Sequence, residues 1–345
     1  MSVTTTHTPP TPVATTPPPR ARVRRSLPSW FGVWEISLLG LVTAVLVAAS
    51  IASPYFATGQ NFAITAAGAI GLALMVVPMA GLMIAGEIDL SVASVFGLAG
   101  VTFGMMLDAG VPLAGALVFG LVVGAAAGFV NGWLTTTFGL PSLVVTVGTL
   151  GLYRGIAYIL LENRSISRIP AEWAAFAQSN VPGTYLPYPL ILFIVIALIA
   201  GVILHRGGFG RRVFAVGSSI EASRYSGIRV RLVKRALFTF SGAISALAGM
   251  IYAGYVASAR ADNGTGLELT VIAIVLIGGV SMYGGRGSLV GVILALFLVT
   301  ALGSWMNLFF VPTNVQNTVI GALMIAAVVV PALILLVRGR RPRLS

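Results

Sequence analysis

Runs of about 20 apolar residues recur from Trp34 almost to the C-terminus, and that pattern narrows the fold more than any other feature. A bilayer core of roughly 30 Å is crossed by about 20 residues of helix. Within it every backbone N–H and C=O needs an internal partner, so only helices or a closed barrel can span it. Alternating segments of about ten residues, the mark of a barrel, are absent. Of 345 residues, 57% are hydrophobic and 9% charged, with a mean hydropathy of +0.97, so lipid is the expected solvent. The expected fold is an all-α integral membrane protein of about ten spans, placed at 34–53, 62–85, 90–107, 112–136, 141–161, 187–205, 234–257, 268–283, 288–309 and 314–337.

The net charge of +12 reads first as a nucleic-acid signal, but the placement of the basic residues gives a different meaning. With the N-terminus inside, 206–233, 284–287 and 338–345 are inside too, and these carry most of the arginines. The opposite side keeps only Arg164, Arg168 and Arg260. This is the positive-inside rule, so both termini are expected in the cytoplasm with no nucleic acid as partner. Residues 1–29, rich in Thr and Pro and ending in Arg20, Arg22, Arg24 and Arg25, read as a disordered cytoplasmic tail rather than a cleaved signal peptide. Residues 30–338 form the expected membrane domain, and 339–345 a basic cytoplasmic tail.

IDLSVASVFGLAG (88–100) lies on LELTVIAIVLIGG (267–279) without a gap, matching Asp89 to Glu268, Ser91 to Thr270 and Gly100 to Gly279. PSLVVTVGTL (141–150) resembles PTNVQNTVIGAL (312–323), and Asn131 lines up loosely with Asn307. These matches pair the third span with the eighth and the fifth with the tenth. A five-plus-five repeat follows, and because five is odd the halves must be inverted. Chance likeness among Leu/Val/Ala-rich helices is the rival explanation.

Glu87 and Asp89 interrupt an otherwise apolar stretch from Phe62 to Leu107, beside Gly86. Two readings stand together: a cytoplasmic turn in which Asp89 caps the next helix, or a break in the substrate pathway, since charge at membrane depth is costly. Ser91, Asn131, Thr146, Thr149 and Glu268 join the candidate pathway residues. Helix hydroxyls and amides also bond their own backbone or a neighbouring helix. ARADNGTGLEL (259–269) is an outer gate, a docking surface or a solvated loop. Arg154, within a span, needs a partner or a route to the headgroups; a structural role is favoured, with Glu162 as one candidate partner.

The chain has no cysteine, and its two histidines, His7 and His205, lie far apart, so no metal site is expected. No nucleophile constellation marks a catalytic centre. Lys234 is the only lysine, and no glycine-rich phosphate loop precedes it, so any ATPase belongs to another subunit. The basic loop 206–233 contains a short helix from Ser219 to Ser226, capped by Ser and closed by Gly227. It suits a groove on a soluble partner; contact with anionic membrane lipid is the alternative.

GEIDLSVAS, Asn131–Gly132, PSLVVTVGT followed by YRG, GRRVFAVG…EASRYSGI and GGVSMYGGRGS, in this order from Trp34 to Val337, resemble the permease subunits of bacterial ribose/xylose-type ABC sugar importers. That resemblance implies a core of two permeases, identical or paralogous, in the bacterial inner membrane. It also implies a cytoplasmic ATPase that binds ATP and Mg, and an extracytoplasmic solute-binding protein. It places the ATPase-coupling loop at EASRYSGI, with Glu221, Ala222, Arg224 and Gly227, and with Ser223 where a second Ala is usual. GEIDLSVAS and SARADNGTG look closer to rhamnose-type and autoinducer-2-type permeases than to ribose ones. The rival readings are a permease for branched-chain amino acids or nucleosides, and an ion-coupled secondary transporter using Glu87 and Asp89.

Overall fold

Proline and glycine decide where many of the helices begin and end. Pro112, Pro141, Pro170 and Pro187 each stand immediately before a helix, where a missing N–H is no loss. The computed structural model describes residues 32–162 and 164–337. Its helices are α1 (Val33–Ala52), α2 (Gly59–Gly68), α3 (Ile70–Ile84), α4 (Val92–Asp108), α5 (Leu113–Phe138), α6 (Ser142–Leu161), α7 (Ala171–Gln178), α8 (Tyr188–His205), α9 (Gly208–Ser218), α10 (Ile220–Tyr225), α11 (Val230–Tyr255), α12 (Leu267–Ile277), α13 (Leu289–Leu308) and α14 (Thr313–Val337). No strand forms among the described residues, only isolated bridges from Ile166 to Ala259 and from Asn180 to Pro187. The tails at 1–29 and 339–345 lie outside the described residues.

Each expected span coincides with a helix or a pair of helices, but not all of them are long and apolar enough to count as full crossings. Among the described residues six are long and apolar enough to cross a membrane: α1, α5, α6, α8, α11 and α13. The pair α2 and α3 makes a seventh if it is one span, bent by 55° where Gly68 and Ala69 interrupt the helix. The expected span 268–283 shortens to α12, because Gly278 and the left-handed Gly279 (φ +83°) end it. Its 11 residues rise about 16 Å, half of a roughly 30 Å core. Hydropathy counts the Gly–Gly–Val stop as apolar and so overestimates the span. Two helices were not foreseen: α7, in the segment after α6, and α9, which lengthens the structured part of the basic loop.

The interior is built from helices that bury all faces and helices that bury one stripe. α3 is buried along nearly its whole length, and α11 packs on α3, α4 and α5. On α5 the buried stripe includes Gly120, Gly124, Gly128 and Gly132, whose spacing of four puts them on one face. A Cβ on Gly128 would lie 2.1 Å from the Phe238 carbonyl oxygen, and one on Gly242 would lie 2.1 Å from that of Gly124. The α5 and α11 backbones therefore touch, as small-residue stripes allow between helices in lipid. Val118, Val122 and Phe129 of α5 point outward to the apolar exterior. The same geometry carries Asn131 and Thr135, which share the inward stripe, into the interior.

Three bonds tie the peripheral helices down. The Trp34 indole donates to the Ile277 carbonyl (3.1 Å), and the Trp173 indole of α7 to that of Met250 (2.9 Å). His205 Nε2 accepts the Leu289 N–H (3.2 Å), joining α8 to the start of α13.

Candidate functional site

The turn between α3 and α4 holds both acids of the inner stretch. Gly86 adopts φ +79°, which reverses the chain after α3, and the Glu87 N–H returns to the Leu82 carbonyl (2.9 Å). Asp89 follows in an Asx turn: its Oδ1 accepts the Ser91 N–H (3.0 Å) and the Ser91 hydroxyl (2.7 Å), while Ser241 donates to Oδ2 (3.1 Å). The residue at the α4 cap position is Ser91, so Asp89 shapes the turn before the helix rather than capping it.

The network continues from Asp89 across four helices. Asn131 Nδ2 donates to Ser91 Oγ (2.7 Å), and the Tyr153 hydroxyl lies 3.2 Å from Asn131 Oδ1 and 3.0 Å from the Ala127 carbonyl. Asp89, Ser91, Asn131 and Ser241 are buried to within 1% exposure, so this chain of polar groups joins α4, α5, α6 and α11 without touching solvent. Three of the candidate pathway residues, Asp89, Ser91 and Asn131, are thus brought together. Thr146 sits beside them, donating to the Ser142 carbonyl (2.9 Å) and reaching that of Ile88 (3.3 Å). Thr149 is buried and turned to its own helix, at 3.5 Å from the Thr146 carbonyl. Glu268 stands apart, in the first turn of α12, where it accepts the Gly266 N–H (3.1 Å) and favours the helix N-terminus.

Glu87 has a different partner. It forms an ion pair with Lys234, and both side chains are largely buried. Charges taken out of water need such a match. The chain's only lysine thus neutralises one of its two inner acids. Neither Lys234 nor Ser241 was singled out from the sequence as a partner, because each lies about 150 positions along the chain from its acid. Tyr153 and Thr135 were passed over as ordinary helix residues.

Arg154 serves as a backbone clasp. Its guanidinium donates to the carbonyls of Ala261, Asn263 (2.9 Å) and Ala93 (2.9 Å), tying α6 to α4 and to the 257–266 loop. It reaches them over Gly97, where a Cβ would lie 2.7 Å from the Arg154 Nη1. Glu162 pairs instead with Arg164 (3.4 Å) at the surface. In the same 257–266 loop Arg260 holds Asp262 through two bonds of 2.9 and 2.8 Å, and those bonds pull the Asp262 carboxyl below its usual pKa.

The basic loop is an ordered unit of α9 and α10. Ser219 Oγ accepts the Ala222 N–H (3.2 Å) at the start of α10. At its end Gly227 (φ +77°) lets its own N–H reach Arg224 and the Ile228 N–H reach Ser223, a Schellman closure. Glu221, Ala222, Arg224 and Gly227 are exposed, whereas Ser223 is buried, so the departure from Ala at that position faces inward. Behind α10, Gly217 of α9 packs directly on the acid-bearing turn. A Cβ there would lie 1.8 Å from the Ile84 carbonyl oxygen, the same oxygen that accepts the Gly285 N–H at 2.8 Å. Gly284 completes the junction, with the Gly86 N and the Gly217 carbonyl oxygen within 3.0 Å of where its Cβ would sit. The α9 end of the basic loop thus meets the end of α3 through backbone contacts at glycine.

Residues 61–328 match the family model described as branched-chain amino acid transport system / permease component. The chain is similar to the autoinducer 2 import system permease protein LsrD of Photorhabdus laumondii, 33% identical over 302 residues that cover 86% of this chain and 90% of that one. The protein of the same name from Enterobacter sp. (strain 638) is 33% identical, covering 86% and 91%, and that of Escherichia coli (strain K12) 32% identical over the same shares. No solved structure matches.

Proposed function

The chain belongs to the branched-chain amino acid transport system / permease component family, and from that premise we propose that it is the membrane-spanning subunit of an ATP-driven importer that moves a sugar inward by alternating access. A rhamnose-like or autoinducer-2-like solute is the favoured cargo, supported by the relatives named for autoinducer 2 import. ATP and Mg are bound and turned over by a cytoplasmic partner. A second permease copy or paralogue completes the membrane core, and an extracytoplasmic binding protein delivers the solute.

The observation that carries this reading is the placement of α10. The exposed α10, closed at both ends, follows α9 directly, and α9 packs through Gly217 on the Ile84 carbonyl at the end of α3, just before the turn that holds Glu87 and Asp89. A partner that pulls on α10 acts through α9 on the end of α3, so closure of an ATPase dimer is transmitted as displacement of α3 and α4. The basic α9–α10 loop, the 281–287 loop and the termini are assigned to the cytoplasmic side on charge. Two inverted halves, each with five apolar segments of which some are short, are supported by the packing: α4 lies against α5 and α6, as α12 lies against α13 and α14. Specificity rests mainly with the binding protein, since a permeation path needs only weak affinity.

The test is uptake in proteoliposomes. With its ATPase and binding protein the chain supports ATP-dependent accumulation of labelled solute; with either left out, it does not. Solute uptake by this chain alone, driven by a proton or sodium gradient, would overturn the proposal.

A further inference from the structure

A cavity of about 460 Å³ lies between α10, the α3–α4 turn, the end of α5 and the starts of α6 and α11. Arg224, Arg231 and Lys234 line it, facing a single carboxylate, Glu87, which Lys234 already neutralises. Arg224 and Arg231 belong to none of the ion pairs formed among the described residues, so two guanidinium charges stand uncompensated at one opening.

A second observation concerns the wall of this cavity. Thr135 lines the cavity, is only 6% exposed, and its Oγ1 has no hydrogen-bond partner. The adjacent Thr136 shows the usual arrangement, donating to the Gly132 carbonyl (2.7 Å) and accepting from Arg235 Nε (2.7 Å). A buried hydroxyl left without a partner is uncommon and calls for a group to bond it.

We propose that this cavity binds a phosphate group, carried either by a soluble organic phosphate or by an anionic lipid headgroup. Arg224 of α10, Arg231 and Lys234 of α11 and Thr135 of α5 line the cavity from three helices. Tetrahedral phosphate oxygens accept from several directions at once, and guanidinium groups match them in pairs. The volume lies in the range of small-molecule sites, well beyond a bare ion. A bound phosphate bridges Arg224 of α10 to α5 and α11, and so fixes the coupling helix against the membrane domain. The cytoplasmic location of the site rests on the function proposed above; its capacity to bind does not.

The full-length chain, purified in an uncharged detergent, is titrated with inorganic phosphate and with glycerol phosphate against chloride at matched ionic strength, and unfolding is followed by tryptophan fluorescence. In a second arm the chain is placed in nanodiscs of phosphatidylcholine with and without phosphatidylglycerol. The expected result is a saturable rise in unfolding temperature beyond that given by chloride. Thr135→Val, which keeps the shape and removes the hydroxyl, is expected to bind about tenfold more weakly, and Arg224→Gln with Arg231→Gln to abolish the rise. A rise with the soluble ester identifies that source; a rise only with phosphatidylglycerol identifies the headgroup. No saturable rise in either arm, or an unchanged one in folded Thr135→Val, overturns the proposal. Because the readout is binding, its failure leaves the uptake experiment to judge the transport function separately.

Discussion

Glu87 and Asp89 are two residues apart, yet the fold gives them opposite treatments: one is matched by a charge, the other by three hydrogen-bond donors. Both stood out in the sequence as acids within an apolar stretch. Their partners did not, because Lys234 and Ser241 meet them only after α11 has packed back on α4. Each arrangement has a measurable consequence. Lys234→Ala leaves Glu87 buried and unpaired, and is expected to cost about 3–5 kcal/mol. Adding Glu87→Gln should recover most of that loss, and unfolding in detergent for the two single variants and the double variant measures the coupling. Asp89→Ala strands the donors of Ser91 and Ser241 and is expected to cost about 2–3 kcal/mol. An effect on transport with no loss of stability would mark Asp89 as a pathway residue rather than a member of the buried network. In the 257–266 loop, the Arg260 pair lowers the Asp262 pKa from 3.8, so its contribution is complete above that pH and fades as pH falls through the lowered value. Hydrogen exchange in 257–266 should therefore be insensitive to the pair's titration from neutral pH down to about 4. In Asp262→Asn the loop should exchange faster across that range.

At the scale of elements, the sequence was most legible where apolar runs ended at charge or proline, as at Pro112, Pro141 and Pro187. It was least legible where they ended at glycine. Gly278 and Gly279 stop α12 inside a run that hydropathy carries on to 283, and Gly68 helps break what looked like one span. The spacing of Gly120, Gly124, Gly128 and Gly132 was open to reading from the start, and it sets which face of α5 turns inward. It also explains why Asn131 is interior. Gly128→Val is expected to push α5 from α11, since even its Cβ meets the Phe238 carbonyl oxygen at 2.1 Å. Loss of folded protein in fluorescence-detected size-exclusion chromatography should report this. Gly148→Ala on α6, where nothing lies within 4 Å of the added Cβ, should leave the elution profile unchanged. A profile unchanged by Gly128→Val would show that the α5–α11 contact is looser than described.

Across the whole molecule, what matters is that the exposed helix and the buried acids lie on either side of one glycine junction. Gly86, Gly217, Gly284 and Gly285 bring together the α3–α4 turn, the α9–α10 loop and the segment before α13, which lie far apart in the sequence. Motif resemblance marks α10 as the proposed coupling helix; only the fold shows what lies behind it. Two substitutions separate docking from transmission. Glu221→Lys reverses a charge on the exposed face of α10, where no structural bond depends on it, so the chain should fold with an unchanged unfolding temperature while binding its ATPase more weakly. Gly217→Ala leaves that face intact but places a methyl group 1.8 Å from the Ile84 carbonyl oxygen, which forces α9 away from the turn. The ATPase should still assemble with this variant and retain basal hydrolysis, while stimulation by solute-loaded binding protein is lost. Pull-down of the ATPase and its stimulated activity, measured on both variants, distinguish the two defects. Full stimulation in Gly217→Ala would mean that force reaches the acid-bearing turn by a route other than the glycine junction.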